Sequence, residues 1–406
     1  MTYYADLHLH SSFARATSKY LTLEVLASWA RIKGIDLLAS ADFTHPVWFE
    51  ETKRKLKPVG DGLHEYDGAT FVLGTEVACI GRQGGRGRRV HMLMFAPSLE
   101  AAERINAMLI TRGKLGSDGR PMLKMLPREL VLRLHDIDPL CFTIPAHLWT
   151  PWYGLYGSKS GFDSLEEAFE DAAALVPAVE TGLSADPAMC WSVSSLDAVS
   201  IVSFSDAHSP QKMARELTAF PGKPSYSGLL KALKSQAIEH TIEFFPEEGM
   251  YHFSGHRACG VVLEPGKVPD DDRCPVCRRP LTLGVAQRIE ELSDREVQTQ
   301  RSEDGFTRGS TNRPPYRSLV GLLQIVAEAK GKGVASKTVR TAYDRLIAEL
   351  GGEVGILTQV PLTDIAACGD DRIAEGVRRV RAGDIEIVPG YDGVYGTVSI
   401  WPESKL

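Results

Sequence analysis

The sequence lacks the features that define several large classes of protein. No stretch of its 406 residues approaches 18 consecutive apolar residues, so we expect no membrane-spanning helix. The N-terminal stretch MTYYADLHLHSSF carries an aspartate and two histidines where a secretory signal needs an apolar run, so we do not expect secretion. No internal repeat is visible, which excludes solenoid architectures.

Cysteine is scarce, and the charge is nearly balanced. Seven widely spread cysteines, an odd number, argue against a disulfide framework and for a reducing compartment, so we expect a cytoplasmic, nucleoid-associated protein. The net charge of −6 gives no general affinity for nucleic acids. With 43% hydrophobic and 24% charged residues, the chain has the composition of a globular protein of two or three domains.

Residues 1–245 alternate short apolar runs with helix-like stretches. The predicted strands are residues 35–40, 70–73, 90–95, 142–144, 178–180 and 199–204, and the predicted helices are residues 22–33, 98–109, 128–135 and 164–174. Such alternation indicates an α/β domain with a largely parallel sheet, closed into a barrel.

The remaining chain divides into three parts. Residues 246–284 are rich in turn residues and contain three cysteines, and so short a segment needs a metal or a disulfide to fold. Residues 285–315 are charged and are predicted to be a linker. In residues 316–406 we predict two amphipathic helices, over residues 318–330 and 336–350, within a small α+β domain. The C-terminal IWPESKL contains no evident clamp-binding peptide.

Histidines and carboxylates recur at the ends of the predicted strands. Asp6, His8 and His10 form D-x-H-x-H, and the two-residue period of a strand places them on one face. The others are Asp42 and His45, Glu76, His91, His147, and Asp206 and His208. Each alone could be an ordinary core, surface or capping residue, but together they predict a site for two or three divalent ions. Glu180 is expected to orient the ligands.

A second ligand pattern lies in the short segment. His256-x-x-Cys259 and Cys274-x-x-Cys277 are two paired turns that suit a tetrahedral Zn²⁺ ion, with His252 as a competing fourth ligand. Four protein ligands leave no open position, so this zinc site is expected to be structural.

Local charge departs from the global average. The segment between Cys79 and Arg133 contains eleven basic and four acidic residues. Within it, residues 81–89 are predicted to form a flexible basic loop. The candidate DNA contacts are Arg86, Arg88 and Arg89 in that loop, and Trp149, Trp152, Tyr153, Tyr156 and Lys159 in an aromatic loop after His147. For Trp149 and Trp152, core packing is an equal alternative.

Several motifs resemble the polymerase-and-histidinol-phosphatase (PHP) family. They are D-L-H-L-H-S, G-T-E, the isolated His91 and His147, and S-D-A-H. The resemblance implies a distorted (β/α)7 barrel that hydrolyses phosphoesters with two or three metals. The ligands would be His8, His10, Glu76, His91, His147, Asp206 and His208, with Glu76 as the bridge and Asp206 and His208 beside the reacting phosphate. Where the family has an adjacent Asp-His pair, this chain has Asp42-Phe43-Thr44-His45.

Longer stretches are similar to the endonuclease Q family. They include IPAHLWTPWYGLYGSKSGFDS, VETGLSADPAM, YHFSGHRACGV and RIAEGVRRVRAGDIEIVPGYDGVYG, and they extend over almost the whole chain. This similarity implies a DNA repair endonuclease that nicks 5′ of deoxyinosine, deoxyuridine, deoxyxanthosine or an abasic site. It implies Mg²⁺ or Mn²⁺ for catalysis, with Zn²⁺ in the structural site and as a candidate in the barrel.

Two other functions stay open at this stage. The metal ligands alone would also suit a small-molecule phosphoesterase, and a metal-bearing fold could serve as a non-catalytic DNA-binding accessory protein. The expected partner is double- or single-stranded DNA that carries the lesion, and the sequence identifies no protein partner and no membrane.

Overall fold

The computed structural model describes residues 1–310 and 312–401. Most of the IWPESKL stretch, in which no clamp-binding peptide was expected, therefore lies outside the described residues. In the part of the chain that is described, no helix has the length and apolar character needed to cross a bilayer.

Short strands alternate with helices along the chain. The strands are β1 (Thr2–Asp6), β2 (Leu37–Ala39), β3 (Lys57–Gly60), β4 (Leu63–Tyr66), β5 (Ala69–Gln83), β6 (Arg86–Ala96), β7 (Met122–Leu123), β8 (Phe142–Pro145), β9 (Ala178–Glu180), β10 (Ser200–Val202), β11 (Leu217–Pro221), β12 (His240–Glu243), β13 (Ser254–His256), β14 (Val261–Leu263), β15 (Thr299–Arg301), β16 (Thr307–Gly309), β17 (Tyr316–Ser318), β18 (Glu386–Val388) and β19 (Thr397–Ser399). All six predicted strands of the first 245 residues are present, with shifted ends.

Several of the helices begin at a residue whose side chain caps the first turn. They are α1 (Leu23–Lys33), α2 (Pro46–Lys55), α3 (Leu99–Leu109), α4 (Pro127–Ile137), α5 (Leu165–Phe169), α6 (Pro187–Trp191), α7 (Tyr226–Lys234), α8 (Val285–Leu292), α9 (Leu322–Lys330), α10 (Lys337–Leu350), α11 (Glu353–Thr358), α12 (Leu362–Cys368) and α13 (Asp371–Ala382). The side chains of Thr22 and Ser98 accept hydrogen bonds from the first turns of α1 and α3. Gly34 ends α1 at φ 80°, a conformation that favours glycine.

The fold is mixed α/β with one large mixed sheet. Within the described residues, 13 strands join this sheet, in the order β15-β16-β17-β12-β11-β1-β2-β5-β4-β3, with β6, β7 and β8 attached at β5 and β6. The prediction of a largely parallel sheet is wrong, because β1–β11, β5–β6 and β6–β8 are all antiparallel. β1–β2 and β2–β5 are parallel.

One apolar cluster gathers the strands around a common interior. Side chains from β1, β2, β5, β6, β8, β9, β10 and β11 contribute to it; they include Leu37, Val72, Leu93, Phe95, Ile144, Val202 and Phe220. A second, larger cluster packs helices against the outside of the sheet and extends into α9, α10 and α13. The strand ends that carry the candidate ligands therefore converge around one core.

A long hairpin replaces the predicted basic loop. β5 and β6 pair continuously from Leu73–Ala96 to Gln83–Arg86, and only Gly84 and Gly85, at φ 59° and 76°, form the turn. Residues 81–83 and 86–89 are thus strand rather than flexible loop. Because these residues are mostly Gly and Arg, a search for periodic apolar residues does not predict this part of the strands.

The predicted linker, residues 285–315, is folded. It contains α8 and the strands β15 and β16, and β16 pairs with β17, which pairs in parallel with β12. Phe306, near the tip of this hairpin, lies between the ring of His240 at 4.8 Å and the Arg317 guanidinium at 3.7 Å. The segment is therefore part of the large sheet.

The C-terminal helices pack on the first domain through a buried ion pair. α9 and α10 lie within the two predicted helices. The Lys33 ammonium lies 2.6 Å from the Glu353 carboxylate, and both side chains are almost completely buried. Glu353 also accepts hydrogen bonds from Tyr343 Oη and Leu322 N, so its charge is well compensated.

Candidate metal centre

Seven of the predicted ligands lie together. Their ligand atoms form three overlapping groups, each within 4.8 Å: His8, His10 and Glu76; Glu76, His91 and His147; and His10, Asp206 and His208. We call these seven residues the histidine cluster. Glu76 is shared by two groups and His10 by two, so the cluster offers adjacent positions for more than one ion.

His8 and His10 extend from the end of β1. The Asp6 carboxylate accepts hydrogen bonds from Ser205 N and Ala214 N, both at 3.0 Å, which ties this strand end to the loop after β10. His8 Nδ1 lies 3.0 Å from Glu180 Oε1, so the opposite nitrogen faces the cluster. That nitrogen, Nε2, is buried without a hydrogen-bond partner among the described residues.

Asp42 supports His10 from behind. Its Oδ1 lies 3.3 Å from His10 Nδ1, and its Oδ2 accepts hydrogen bonds from Ser11 N and Ser11 Oγ at 2.6 Å. His10 Nε2 is thereby directed at Asp206, 3.2 Å away. The structure gives Asp42 this contact with His10 and places it in none of the three ligand groups, so its role as a metal ligand stays a prediction.

His45 does not join the histidine cluster. Its ring stacks on Phe13 at a centroid distance of 4.3 Å, and it belongs to none of the ligand groups formed by the described residues. It follows Asp42 by three residues and precedes α2, so its backbone already leads away from the site. The role of His45 as a metal ligand stays a prediction that this position does not favour.

Glu76 sits at the centre of the histidine cluster. Its Oε1 lies 2.8 Å from His91 Nδ1 and 3.3 Å from His147 Nε2. Its Oε2 faces His8 and His10 at 3.5 and 3.3 Å. One oxygen per ligand group is the arrangement of a bridging carboxylate.

Glu180, at the end of β9, holds two elements of the site. Its Oε2 accepts a hydrogen bond from His147 N at 2.7 Å, while the same carboxylate holds His8. This contact matches its expected orienting role, because ligands of metals are commonly fixed by such carboxylates.

Several strand ends at the site have strained backbone conformations. Asp42, His147 and Asp206 have φ values of 30°, 31° and 45°, which non-glycine residues rarely adopt, and Ala41 has φ 58°. Such strain persists where the surrounding structure determines the conformation, and functional sites are its common location.

Asp206 is held by an arginine that the sequence reasoning missed. Arg215 donates from Nε to Ser205 O at 2.7 Å and from Nη2 to Asp206 O at 3.1 Å. No spacing rule connects a lone arginine with carbonyls nine and ten residues earlier, so only the three-dimensional structure reveals this contact. The Asp206 and His208 side chains are 23% and 31% exposed, so this side of the histidine cluster is open.

The electrostatics favour metal binding. Burial raises the pKa of Glu76, but the charges of His91 and Arg120 outweigh it and hold that pKa well below its ordinary value. Burial lowers the pKa of His91 to about 4, so its imidazole is neutral at neutral pH. For His8, the nearby Glu180, Asp206 and Glu76 outweigh burial and raise the pKa well above its ordinary value. The excess negative charge that raises it would also attract a divalent cation.

A cavity of about 580 Å³ adjoins the open side of the histidine cluster. His147, Asp206 and His208 line it on one side, and Tyr251, Tyr395 and Met250 contribute aromatic and apolar surface. Lys212, Arg215 and Glu248 also line it. The cavity can therefore accept a planar, polar group next to the candidate metal positions.

A second ligand group lies outside the sheet. His256, Cys259, Cys274 and Cys277 bring one ligand atom each within 4.8 Å of the others, and we call them the cysteine cluster. His256 Nδ1 lies 3.5 Å from Cys277 Sγ. His252, the alternative fourth ligand, is not in this group; its ring lies against Phe253.

Three of the predicted DNA contacts are buried. Trp149 is 1% exposed and donates to Cys190 Sγ, and Tyr156 is fully buried beside it. Arg88 pairs with Glu167 at 2.6 Å and stacks on Phe162. These three side chains pack beneath the surface, which for Trp149 is the alternative of core packing, and their burial does not favour the predicted contact with DNA.

The other predicted DNA contacts are accessible. Arg86, Arg89 and Lys159 are exposed, and Trp152 is 41% exposed with its ring against Tyr251. Tyr153 is half-buried at φ 66°, and its ring lies 4.4 Å from that of His91. The aromatic loop thus contributes two residues to the core and three to the surface near the site.

Sequence comparison links the chain to two curated proteins and one family model. It is 30% identical over 419 residues to the uncharacterized protein YqxK of Bacillus subtilis, covering 97% of this chain and 98% of that one. It is 29% identical over 265 residues to the uncharacterized protein MJ0043 of Methanocaldococcus jannaschii, covering 63% of this chain and 32% of that protein. Residues 321–384 match the family model described as the MJ0043 C-terminal domain.

Two solved structures superpose on the whole chain. The lesion-specific endonuclease PfuEndoQ from Pyrococcus furiosus has a TM-score of 0.85 and 30% identity, over 100% of this chain and 98% of that one. Endonuclease Q in complex with a 27-mer duplex substrate with an abasic lesion at the active site also has a TM-score of 0.85 and 30% identity, over 99% of this chain and 98% of that one.

Proposed function

The chain belongs to the endonuclease Q family, and from this premise we propose that it is a metal-dependent DNA repair endonuclease that cuts 5′ of deaminated bases and abasic sites. One observation carries the proposal. The histidine cluster shares Glu76 between two ligand groups and opens, through Asp206 and His208, onto a cavity of about 580 Å³. Phosphodiester hydrolysis by paired metal ions needs that combination of bridging carboxylate and open side.

We also propose the division of the chain that the resemblance implies. Residues 1–245 would form the distorted (β/α)7 PHP barrel, residues 246–284 the zinc segment and residues 316–406 the C-terminal α+β domain. The shared core of eight strands supports a barrel. The pairing of β16 with β17 makes residues 285–315 an extension of the barrel sheet instead of a free linker.

The donor set fits divalent metal ions. Five imidazoles and two carboxylates supply nitrogen and oxygen ligands, which suit Zn²⁺ and Mn²⁺, and Mg²⁺ at the carboxylate-rich positions. The buried, unpartnered Nε2 of His8 is a direct sign of a missing ligand, because buried polar atoms are nearly always satisfied. A bound cation supplies charge that lowers the pKa of a coordinated water and stabilises the reacting phosphate.

The side chains of the site would have separate roles in the reaction. Glu76 would hold both ligand groups at a fixed separation, and Glu180 would keep the His8 ring directed inward. Asp206 and His208, the exposed members of the histidine cluster, would meet the scissile phosphate. Arg215 would keep Asp206 in its strained conformation by binding two successive carbonyls.

The adjoining cavity would receive the damaged base. Extruding a base from the duplex costs a few kcal/mol, and this cost is lowest for a base that pairs poorly or is missing. Tyr251, Tyr395 and Met250 offer stacking surface, and Lys212 offers hydrogen-bond donors to the carbonyl that deamination creates. Trp152, Arg86, Arg89 and Lys159 lie on the exposed surface and would contact the DNA outside the cavity.

The cysteine cluster would bind zinc and stabilise the fold. Three thiolates and one imidazole complete a tetrahedral shell without an open position, so we assign it no part in the chemistry. The chromosomal substrate supports a cytoplasmic, nucleoid-associated location for the enzyme.

The decisive experiment is a nicking assay on defined duplexes. The labelled substrates carry one deoxyinosine, one deoxyuridine or one abasic site, and an undamaged duplex of the same sequence is the control. With Mg²⁺ or Mn²⁺ we expect one nick 5′ of the lesion, abolished by a chelator. Hydrolysis of a small phosphate ester without DNA cutting, or lesion binding without turnover, would contradict the proposal.

A further inference from the structure

A short segment between α3 and α4 is fixed against the histidine cluster. Gly119 N donates to Phe13 O at 3.0 Å, and Ala78 N donates to Pro121 O at 3.0 Å, so the backbone is held on both sides of Arg120. The segment therefore presents Arg120 from a rigid backbone.

Close packing restricts the same segment further. An added Cβ on Gly119 would lie 2.3 Å from Asp42 Oδ2, so only glycine allows the approach. Asp118 Oδ1 accepts hydrogen bonds from Arg15 N and Arg120 N at 3.1 and 3.2 Å. The turn therefore packs directly against Asp42, the residue that also supports His10.

The Arg120 side chain ends on the bridging carboxylate. Its Nη1 lies 3.1 Å from Glu76 Oε2, and the side chain is 24% exposed. A guanidinium has five N–H donors, and among the described residues its side chain makes no hydrogen bond other than that to Glu76. Several donors therefore stay free beside the histidine cluster.

A fixed cation next to a metal site needs an electrostatic reason. Glu76 already faces the candidate positions of two divalent cations, and a third positive charge there repels them unless an anion is shared. A guanidinium stays protonated at every pH at which proteins are folded, so this positive charge beside Glu76 is permanent. An anionic substrate group between Arg120 and the open side would balance this charge.

We propose that Arg120 binds the scissile phosphate, with one edge of its guanidinium on Glu76 and the other on a non-bridging phosphate oxygen. Planar, forked donors suit both groups, which a lysine ammonium cannot match. This inference rests on the proposed nuclease function. It makes Arg120 a substrate-binding residue of the site, beyond the metal ligands themselves.

The test combines Arg120→Gln and Arg120→Lys with a neutral scissile linkage. Single-turnover cleavage of an abasic-site duplex is measured over a range of enzyme concentrations, to obtain the rate constant and the half-saturating concentration. Binding is measured on the same duplex with a methylphosphonate at the scissile position. Bound metal per chain is measured for each variant, and Arg308→Gln, which breaks an exposed pair with Asp304, is the matched control.

For Arg120→Gln we expect cleavage to slow by about 10²–10³-fold, as when one fixed donor to a reacting oxyanion is removed. Half-saturation on the phosphate duplex should rise about 10-fold, the effect of one lost charged hydrogen bond. Binding of the methylphosphonate duplex and bound metal should equal those of the wild type. Cleavage by Arg120→Lys should be faster than by Arg120→Gln and slower than by the wild type, since lysine keeps the positive charge but lacks the paired donors of the guanidinium.

Other outcomes would overturn the assignment. Equal weakening of both duplexes would place Arg120 away from the phosphate. Loss of bound metal in Arg120→Gln, with Arg120→Lys restoring it, would reduce its role to holding Glu76. If the wild type cuts lesion DNA and Arg120→Gln cuts it with the same rate constant and half-saturation, this inference alone is refuted. If the wild type cuts no lesion duplex, the proposed function and this inference are refuted together.

Discussion

The histidine cluster and the cysteine cluster differ in what surrounds their ligand atoms. His8, His10 and Glu76 have no exposed side-chain surface, and Glu180 and Asp42 hold the two imidazoles from behind. In the cysteine cluster, Cys277 is exposed, and the ligands sit on tight turns in a segment of short strands. The histidine cluster is therefore surrounded by a folded core, whereas the cysteine cluster takes the role of a hydrophobic core in its short segment.

This difference separates two uses of a metal. The histidine cluster has more donors than one ion needs, shares a carboxylate and opens to a cavity, so positions are left for a substrate. The cysteine cluster has four donors for one tetrahedral ion and leaves none. Removing a ligand should therefore affect reactivity in the first case and folding in the second.

The largest expected effect is on the reaction. Asp206→Asn removes a charged ligand at the open side of the histidine cluster. Cleavage should fall by at least about 10³-fold, because metal stabilisation of the transition state contributes several kcal/mol. Single-turnover cleavage and lesion binding are measured, with Asp304→Asn as an exposed control. Retained cleavage would show that Asp206 is not at the reacting phosphate.

A ligand change in the cysteine cluster should act on stability. Cys274→Ser is expected to lose one zinc per chain and to lower Tm by several degrees, since 1 kcal/mol shifts Tm by about 2–4 °C in a larger domain. Metal analysis and calorimetry check this. Cys368→Ser, outside the cluster, should keep the metal content of the wild type. Full zinc occupancy in Cys274→Ser would remove the distinction between the sites.

The histidine cluster also differs in that a carboxylate outside it, that of Glu180, fixes two of its histidines. Glu180 accepts from both His8 Nδ1 and His147 N, and the amide of Glu180→Gln has only one acceptor oxygen to serve two donors. We expect metal affinity or cleavage to fall about 10–100-fold with Tm little changed. Metal titration of the variant measures the affinity. An unchanged affinity would mean that the imidazole needs no support.

A further contrast concerns stability alone and involves Glu243, a buried acid in the same sheet. Burial, opposed by Thr241 and Ser203, raises the pKa of Glu243 from 4.5 to about 8. The folded protein therefore keeps a proton that the unfolded chain loses, so stability falls as pH rises from 4.5 to 8, by up to about 1.4 kcal/mol per pH unit. Glu243→Gln should flatten this slope in denaturant unfolding, whereas the exposed Glu386→Gln should keep it. A slope unaltered by Glu243→Gln would assign the proton to another group.

Much of the first domain could be predicted from local signals. Ser98 and Thr22 cap their helices, and alternating apolar runs located six strands of the first 245 residues, although β5 extends to Gln83, ten residues beyond its predicted end. That the members of the histidine cluster lie together could also be predicted, since they follow successive strands. The direction of each strand could not, because pairing is decided by tertiary contacts.

Other features have physical reasons for escaping sequence analysis. Asp42 and His45 have the same residue types as the members of the histidine cluster, and only the turn into α2 and the stacking on Phe13 set them apart. Trp149 and Tyr156 lie in the same loop as Trp152 and Tyr153. Because a loop has no regular side-chain periodicity, the sequence does not predict which of these rings are buried. Arg215 and Arg120 act through backbone and carboxylate contacts that have no signature in sequence.

The parallel pairing of β12 with β17 has a consequence for chain topology. Everything between these strands, including the cysteine cluster, is the crossover connection of one strand pair. A growing chain that has reached only β12 carries that strand as an open edge until β17 is synthesised. Unpaired edges invite intermolecular pairing. A fragment that ends just after β12 should therefore associate with itself, and the shortest soluble fragment of this protein should extend beyond β17.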